Sequence, residues 1–194
     1  MRALSRLPLA PVFLALALST QLAACVPAVI GGAAAGGAMA ADRRTSGIYI
    51  EDQNIELKAS HAVKQELGEK NNITVTSYNR NVLLTGEAVD AASKEAAEKA
   101  VRTVDNVRNI TNEIVIDTKS TFSERNNDTY ITSKVKARMV KENRFPSNYV
   151  KVVTEATTVF LLGIVTKQEA EDAVDIARST SGVSKVVKVF EYID

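Results

Sequence analysis

Asp52-x-x-Ile55-x-x-x-Ala59-x-x-x-Val63 returns 76 residues later as Asp128-x-x-Ile131-x-x-x-Val135-x-x-x-Met139. Each stretch sets apolar residues four apart behind an aspartate. That spacing suits an amphipathic helix with a capping acid near its start. The repetition continues downstream. Ile73-x-Val75 returns as Val150-x-Val152, each alternating with polar residues as a half-buried strand does. Asn79-Arg80-Asn81 and Ala156-Thr157-Thr158 take the turns. Val82-Leu83-Leu84-Thr85-Gly86 then returns as Val159-Phe160-Leu161-Leu162-Gly163, a second strand that closes a hairpin and ends in Gly. Second helices are predicted at roughly 91–103 and 167–179, with stops at Asn106-Val107 and Gly182-Val183. Last strands are predicted at 110–116 and 186–192, and the first copy holds one extra residue between its Gly and its helix stop.

The chain therefore reads as α+β, with two tandem α-β-β-α-β domains at 48–117 and 128–194. Each is expected to be a three-stranded sheet with two helices on one face. About 70 residues suffice for a small core of its own. Thr118 to Asn127 (TKSTFSERNN) reads as a polar linker.

The chain opens differently. Arg2 and Arg6 give a basic start, Leu7 to Leu18 is uncharged and greasy, and Leu22-Ala23-Ala24-Cys25 closes the segment. This is the layout of a secretory signal peptide. The Cys directly after Leu-Ala-Ala resembles the lipobox of bacterial lipoproteins. The resemblance implies cleavage after residue 24, a diacylglyceryl group on the Cys25 thiol and acylation of its new amine. Pro8 and Pro11 interrupt the apolar run, which falls short of the ~20 residues that a spanning helix needs. Val26 stands where inner-membrane retention calls for Asp, so the resemblance implies the outer membrane, with the protein facing the periplasm. Residues 25–47, rich in Gly and Ala after Cys25, read as a flexible tether, with a segment packed on the membrane or on the domain as the competing reading.

Composition excludes several classes of function. Lys plus Arg is 24 and Asp plus Glu is 23. That balance gives no support to nucleic-acid binding by the whole chain. One Cys rules out an internal disulfide and a multi-cysteine zinc cage, and a single His argues against a His-rich metal site or a conventional triad. His61 has no second ligand at metal spacing. Glu95, Glu98, Glu169, Glu171 and Asp172 sit among Lys and Ala as exposed helix charges do. No enzyme, no cofactor and no metal site is expected.

The α-β-β-α-β order, the Asp-x-x-Ile start, the Val82–Gly86 and Val159–Gly163 strands and Gly182-Val183 together resemble the BON domain. The resemblance covers nearly all of 51–194. It implies phospholipid binding without catalysis, by the first helix of the second domain, in support of outer-membrane integrity. Two departures stand out: Asn106 replaces a Gly that the family prefers, and Tyr130 stands where related dual-domain lipoproteins carry a Trp.

Charge singles out the same helix. From Glu51 to Lys70 there are three basic and five acidic residues; from Asp128 to Arg144 there are five basic and two acidic. At 3.6 residues per turn, Ile131, Val135 and Met139 share the core side. Tyr130, Lys134, Ala137 and Lys141 form a second stripe, flanked by Lys136 and Arg138. An amphipathic ring beside ammonium groups suits a headgroup layer, where Lys stems snorkel. The matching stripe of the first copy, Asn54, Lys58, His61 and Gln65, has no such ring. The candidate lipid-binding set is Thr129, Tyr130, Ser133, Lys134, Ala137, Arg138 and Lys141, with Cys25 as the lipidation site. Two partner readings follow. One is an anionic phospholipid membrane. The other is an acidic protein of the envelope assembly machinery, with lipid contact incidental.

Overall fold

The four-residue apolar repeats become buried stripes on two long helices. The computed structural model describes residues 42–194. The expected signal peptide and Cys25 lie outside the described residues. The first copy runs α1 (Ser46–Leu67), β1 (Asn72–Tyr78), β2 (Asn81–Ala88), α2 (Ala91–Arg102), β3 (Asn109–Asn112) and β4 (Val115–Ile116). The second runs α3 (Phe122–Glu142), β5 (Val150–Glu155), β6 (Thr158–Val165), α4 (Lys167–Arg178) and β7 (Lys185–Tyr192). In each sheet the hairpin is antiparallel and the last strand joins parallel to the second, giving the orders β1-β2-β3 and β5-β6-β7. The fold is α+β, two tandem α-β-β-α-β units, as the repeat implied. The first copy's last strand is broken: β3 stops at Asn112, and β4 resumes against the far end of β2.

The repeated aspartates do not cap helices. Thr45 caps α1 by accepting from the Ile48 N–H, and Thr121 caps α3 in a reciprocal capping box with Glu124. Asp52 and Asp128 lie two turns inside and are buried. Each reaches across to its own hairpin. Asp128 accepts from the Ala156 and Thr157 N–H groups, both at 2.9 Å. Asp52 accepts from the Asn79 and Arg80 N–H groups at 2.8 and 2.7 Å, and from the Ser77 hydroxyl at 2.7 Å. The reason lies in the turns. Both are two-residue loops with both residues left-handed: Asn79 and Arg80 at φ 52° and 64°, Ala156 and Thr157 at 46° and 60°. Such turns match the strand twist but favour Asn and Gly. Arg, Ala and the β-branched Thr adopt them at a cost of about 1–2 kcal/mol each. The carboxylate offsets that cost.

Alternation along the strands gives each sheet two apolar faces. Val82 and Leu84, like Val159 and Leu161, join the buried stripes of the helices. Their neighbours Leu83, Phe160 and Leu162 point the other way and form one cluster with Tyr78, drawn from both copies. The two sheets thus lie face to face, with the helices on the outer sides. Polar ties bind the seam: the Tyr78 hydroxyl donates to the Tyr149 carbonyl at 3.3 Å, and Lys151 Nζ donates to Glu56 Oε1 at 2.7 Å. Glu191 accepts from the side chains of Asn79 and Asn81.

Two expected boundaries move. The supposed tether does not extend to Gly47. Arg44 is buried between Asp42 and Asp52, 2.7 and 2.8 Å away, and lies 4.0 Å over the Tyr78 ring. Arg43 forks onto Glu169 at 2.6 and 2.8 Å, donates to the Ile164 carbonyl at 2.8 Å and stacks on Tyr149 at 3.9 Å. Likewise, residues 122–127 of the supposed linker are helix, because the Thr121–Glu124 capping box starts α3 early.

Two predictions follow from this packing. Asp128→Ala should destabilise the chain by about 1–3 kcal/mol in urea unfolding, because two turn donors lose their acceptor; adding Ala156→Gly should recover part of the loss. The second concerns Glu155, beside that turn. Burial, then the charges of Glu87 and Asp128, push its carboxyl up to about 7 against 4.5 in a free chain, with Arg125 opposing weakly. The folded state therefore holds a proton that the unfolded chain releases. Stability should fall as pH rises from about 4.5 to about 7 and then level off. Glu155→Gln should flatten that slope in melting temperatures recorded across the range.

Candidate membrane-facing site

The outer face of α3 is the surface that the sequence marked. Ile131, Val135 and Met139 are at most 1% exposed and hold the helix to its core. The opposite face is free of both sheets and of the first copy. Thr129, Tyr130, Ser133, Ala137 and Lys141 are exposed there, with Tyr130 at 62%. The Thr129 hydroxyl donates to the Arg125 carbonyl and the Ser133 hydroxyl to the Thr129 carbonyl, both at 2.9 Å, so two polar members of the stripe are satisfied within the helix. Lys134 leans back: its Nζ donates to the Ser181 carbonyl and sits 4.7 Å from the Tyr130 ring centroid. That cation–π contact presents ring and ammonium as one unit.

Arg138 does not belong to the free surface. It bonds Glu142 at 2.7 Å, and donates to the Ile176 carbonyl at 3.1 Å and to the Ser179 and Thr180 hydroxyls at 3.0 Å. It clamps α3 to the end of α4. Arg144 is likewise paired, to Glu142 and Asp175 at 2.9 Å each. Of the five basic residues that gave this segment its charge, Lys134, Lys136 and Lys141 make no ion pair among the described residues.

The early start of α3 adds side chains that the sequence reading missed. Phe122 and Val140 stand eighteen residues apart, five turns, on one line of the outer face. They are 73% and 64% exposed. Tyr130 lies about 80° to one side of that line and Lys136 about 40° to the other. The exposed ridge is therefore more apolar than expected, with lysines on both flanks. The signal for Phe122 was present in Thr121-x-x-Glu124, a capping box.

The first copy qualifies the contrast between the twins. Its α1 also exposes aliphatics, Ile50 at 57% and Leu57 at 72%. Their neighbours include Glu51 and Glu66, and the one tyrosine beside them, Tyr49, is half-buried with Arg44 over its ring. What separates α3 from α1 is its positive charge and its exposed rings, Phe122 and Tyr130, not apolar exposure by itself. Asn106 takes φ 67° at the helix stop where Gly182 takes φ 96°. Asn is the non-glycine residue that best tolerates this conformation, which accounts for that departure.

Two face-to-face α-β-β-α-β units, one with a cationic outer helix, define the class: a tandem-domain α+β module. The BON domain matches residues 51–118 and again residues 127–194, and the chain belongs to the BON-domain family. It is 37% identical over 189 residues to the outer membrane lipoprotein DolP of Haemophilus influenzae, covering 96% of this chain and 98% of that one. It is 31% identical over 154 residues to a 21 kDa hemolysin of Actinobacillus pleuropneumoniae, 78% of this chain and 79% of that one. The osmotically-inducible protein Y of Escherichia coli is 29% identical over 144 residues, 72% of each chain. The chain is thus a dual-BON protein of the DolP kind, an outer-membrane lipoprotein facing the periplasm, and these names point to a non-enzymatic protein. Among the described residues, no helix is long and apolar enough to cross a membrane.

Arg138→Ala separates clamp from surface. It should lower urea stability by about 1–3 kcal/mol, since bonds to Glu142 and the end of α4 are lost, while vesicle binding per folded molecule stays within twofold of the parent chain.

Proposed function

We propose that this protein is acylated at Cys25 and docks the outer face of α3 on anionic phospholipid, in support of outer-membrane integrity. One observation carries the reading: Tyr130, Phe122 and Val140 stand exposed on one helix face between lysines that have no acidic partner among the described residues. An aromatic ring and aliphatic side chains enter the headgroup layer, and the ammonium groups stay at its charged rim. Each Lys near an anionic surface contributes about 1 kcal/mol, so three give a weak contact. A weak contact is enough once an acyl anchor holds the chain at the membrane, because the second encounter is then intramolecular. The competing reading, an acidic protein partner on this helix, explains the lysines but leaves the exposed rings without a role.

The test is co-sedimentation of the chain from residue 25, carrying Cys25→Ser, with phosphatidylglycerol and with phosphatidylcholine vesicles. Binding is expected to phosphatidylglycerol only and to weaken with salt. Lys141→Glu reverses one charge and should weaken it by roughly tenfold or more, and Tyr130→Ala should weaken it as well. Equal binding to both vesicles, or no change in Lys141→Glu, would falsify the proposal.

A further inference from the structure

The C-terminal edge of the second sheet differs from its counterpart in the first. β3 has four residues and the chain then breaks away, with the Glu113 N–H bonding back to the Leu84 carbonyl at 2.9 Å. β7 runs eight residues without a break, and β6 is its only partner strand among the described residues. The Ile193 N–H donates to the Val165 carbonyl at 3.2 Å on the β6 side. Alternation back along the strand then turns the N–H and C=O groups of Val186, Lys188 and Phe190 outward. Long, unbroken edges are templates for another strand, and proteins usually blunt them.

A groove of about 530 Å³ lies beside this edge, between α4 and β7, with Ala170, Val174 and Tyr192 among its lining residues. A recess of about 190 Å³ adjoins it, sharing Val174 and Arg178 and reaching Val183 and Val186. The rim is cationic. Lys167, Lys185 and Lys188 make no ion pair among the described residues, and Arg178 meets Asp175 only at 3.5 Å. Glu171 and Asp175 are the groove's acids. A free strand edge beside a helix-walled apolar groove is the geometry in which an extended peptide adds as a strand: main-chain bonds hold it, and alternate side chains fill the groove.

We propose that β7 and the α4 groove form a second binding site, distinct from the outer face of α3, that takes an extended, acidic segment of another protein as an added strand. The surplus of cations on the rim selects acidic over basic segments. The same surplus disfavours a second copy, because antiparallel pairing of two β7 strands would bring the Lys188 side chains of the two copies close together.

The test uses the chain from residue 25 with Cys25→Ser and a fluorescein-labelled octapeptide alternating Glu and Val. A second peptide of the same sequence carries N-methyl groups on alternate amides, which keeps its charge and removes its strand-forming donors. The first peptide is expected to bind, with amide shifts confined to 185–192 and α4. The N-methylated peptide and the Lys185→Glu/Lys188→Glu variant should each bind roughly tenfold more weakly or worse, the equivalent of one to two net hydrogen bonds or two reversed charges. Lys188→Pro should block binding without removing a β6 bond, since its N–H faces outward; the N-methylated peptide decides the matter if that variant unfolds. Equal binding of both peptides, shifts centred on α3, or a β7-dependent dimer in sedimentation would each overturn the proposal.

Discussion

The seam between the two sheets is the constraint on which the arrangement depends. A three-stranded sheet with helices on one side leaves a second face, and here that face is apolar in both copies: Leu83 and Tyr78 in one, Phe160 and Leu162 in the other. Burying such side chains contributes about 1.5–3 kcal/mol each. Neither copy could leave that face in water without exposing a large apolar patch. Packed together, each copy completes the other. The consequence for function is geometric. Once the inner faces are used, all four helices stand on the outside, and their outer faces are what the molecule offers to its surroundings.

Within that frame the twins diverged where packing did not hold them. The core stripes of α1 and α3 match residue for residue at an offset of 76, and so do the aspartates that brace the turns. The outer faces are free of that demand. One carries Glu51, Asn54 and His61; the other carries Phe122, Tyr130, Lys136 and Lys141. The strand edges diverged in the same way, with β3 broken after Asn112 and β7 kept whole. Both kinds of difference lie outside the shared core, and both give the second copy surfaces that the first lacks.

Much of this was legible in the chain. The four-residue repeat and the two-residue alternation gave away the order of elements, because those patterns report burial along one axis, whereas Gly86 and Gly163, expected to end the second strands, lie two residues inside them. The stripe of Tyr130 and Lys141 was legible for the same reason: helical spacing decides which residues face away from Ile131, Val135 and Met139. What escaped depends on contacts between distant positions. Asp52 and Asp128 look like capping residues until their hairpins are seen 27 to 29 residues on, where Ala156 and Thr157 need an acceptor. Arg138 looks like a surface cation until α4 ends beside it. Two polar-looking stretches, 42–47 and 118–127, read as loops because short segments carry no periodicity, yet Arg43 and Thr121 give each a fixed place.

Arg43 joins the segment before α1 to the second copy. It precedes the first copy in sequence, but its bonds run to Glu169 and Ile164, and its guanidinium stacks on Tyr149, all in the second copy. Glu169 is itself held by the Thr166 capping box at the start of α4, so the guanidinium meets a carboxylate already fixed in place. Burial works against the Glu169 charge, but the Arg43 bonds outweigh it and hold the carboxyl below its ordinary range. The segment before α1 is therefore pinned to the copy that carries α3. Arg44, the next residue, bonds Asp52 and lies over the Tyr78 ring, both in the first copy. Consecutive arginines thus tie one short segment to both copies, and that segment braces the seam at its rim.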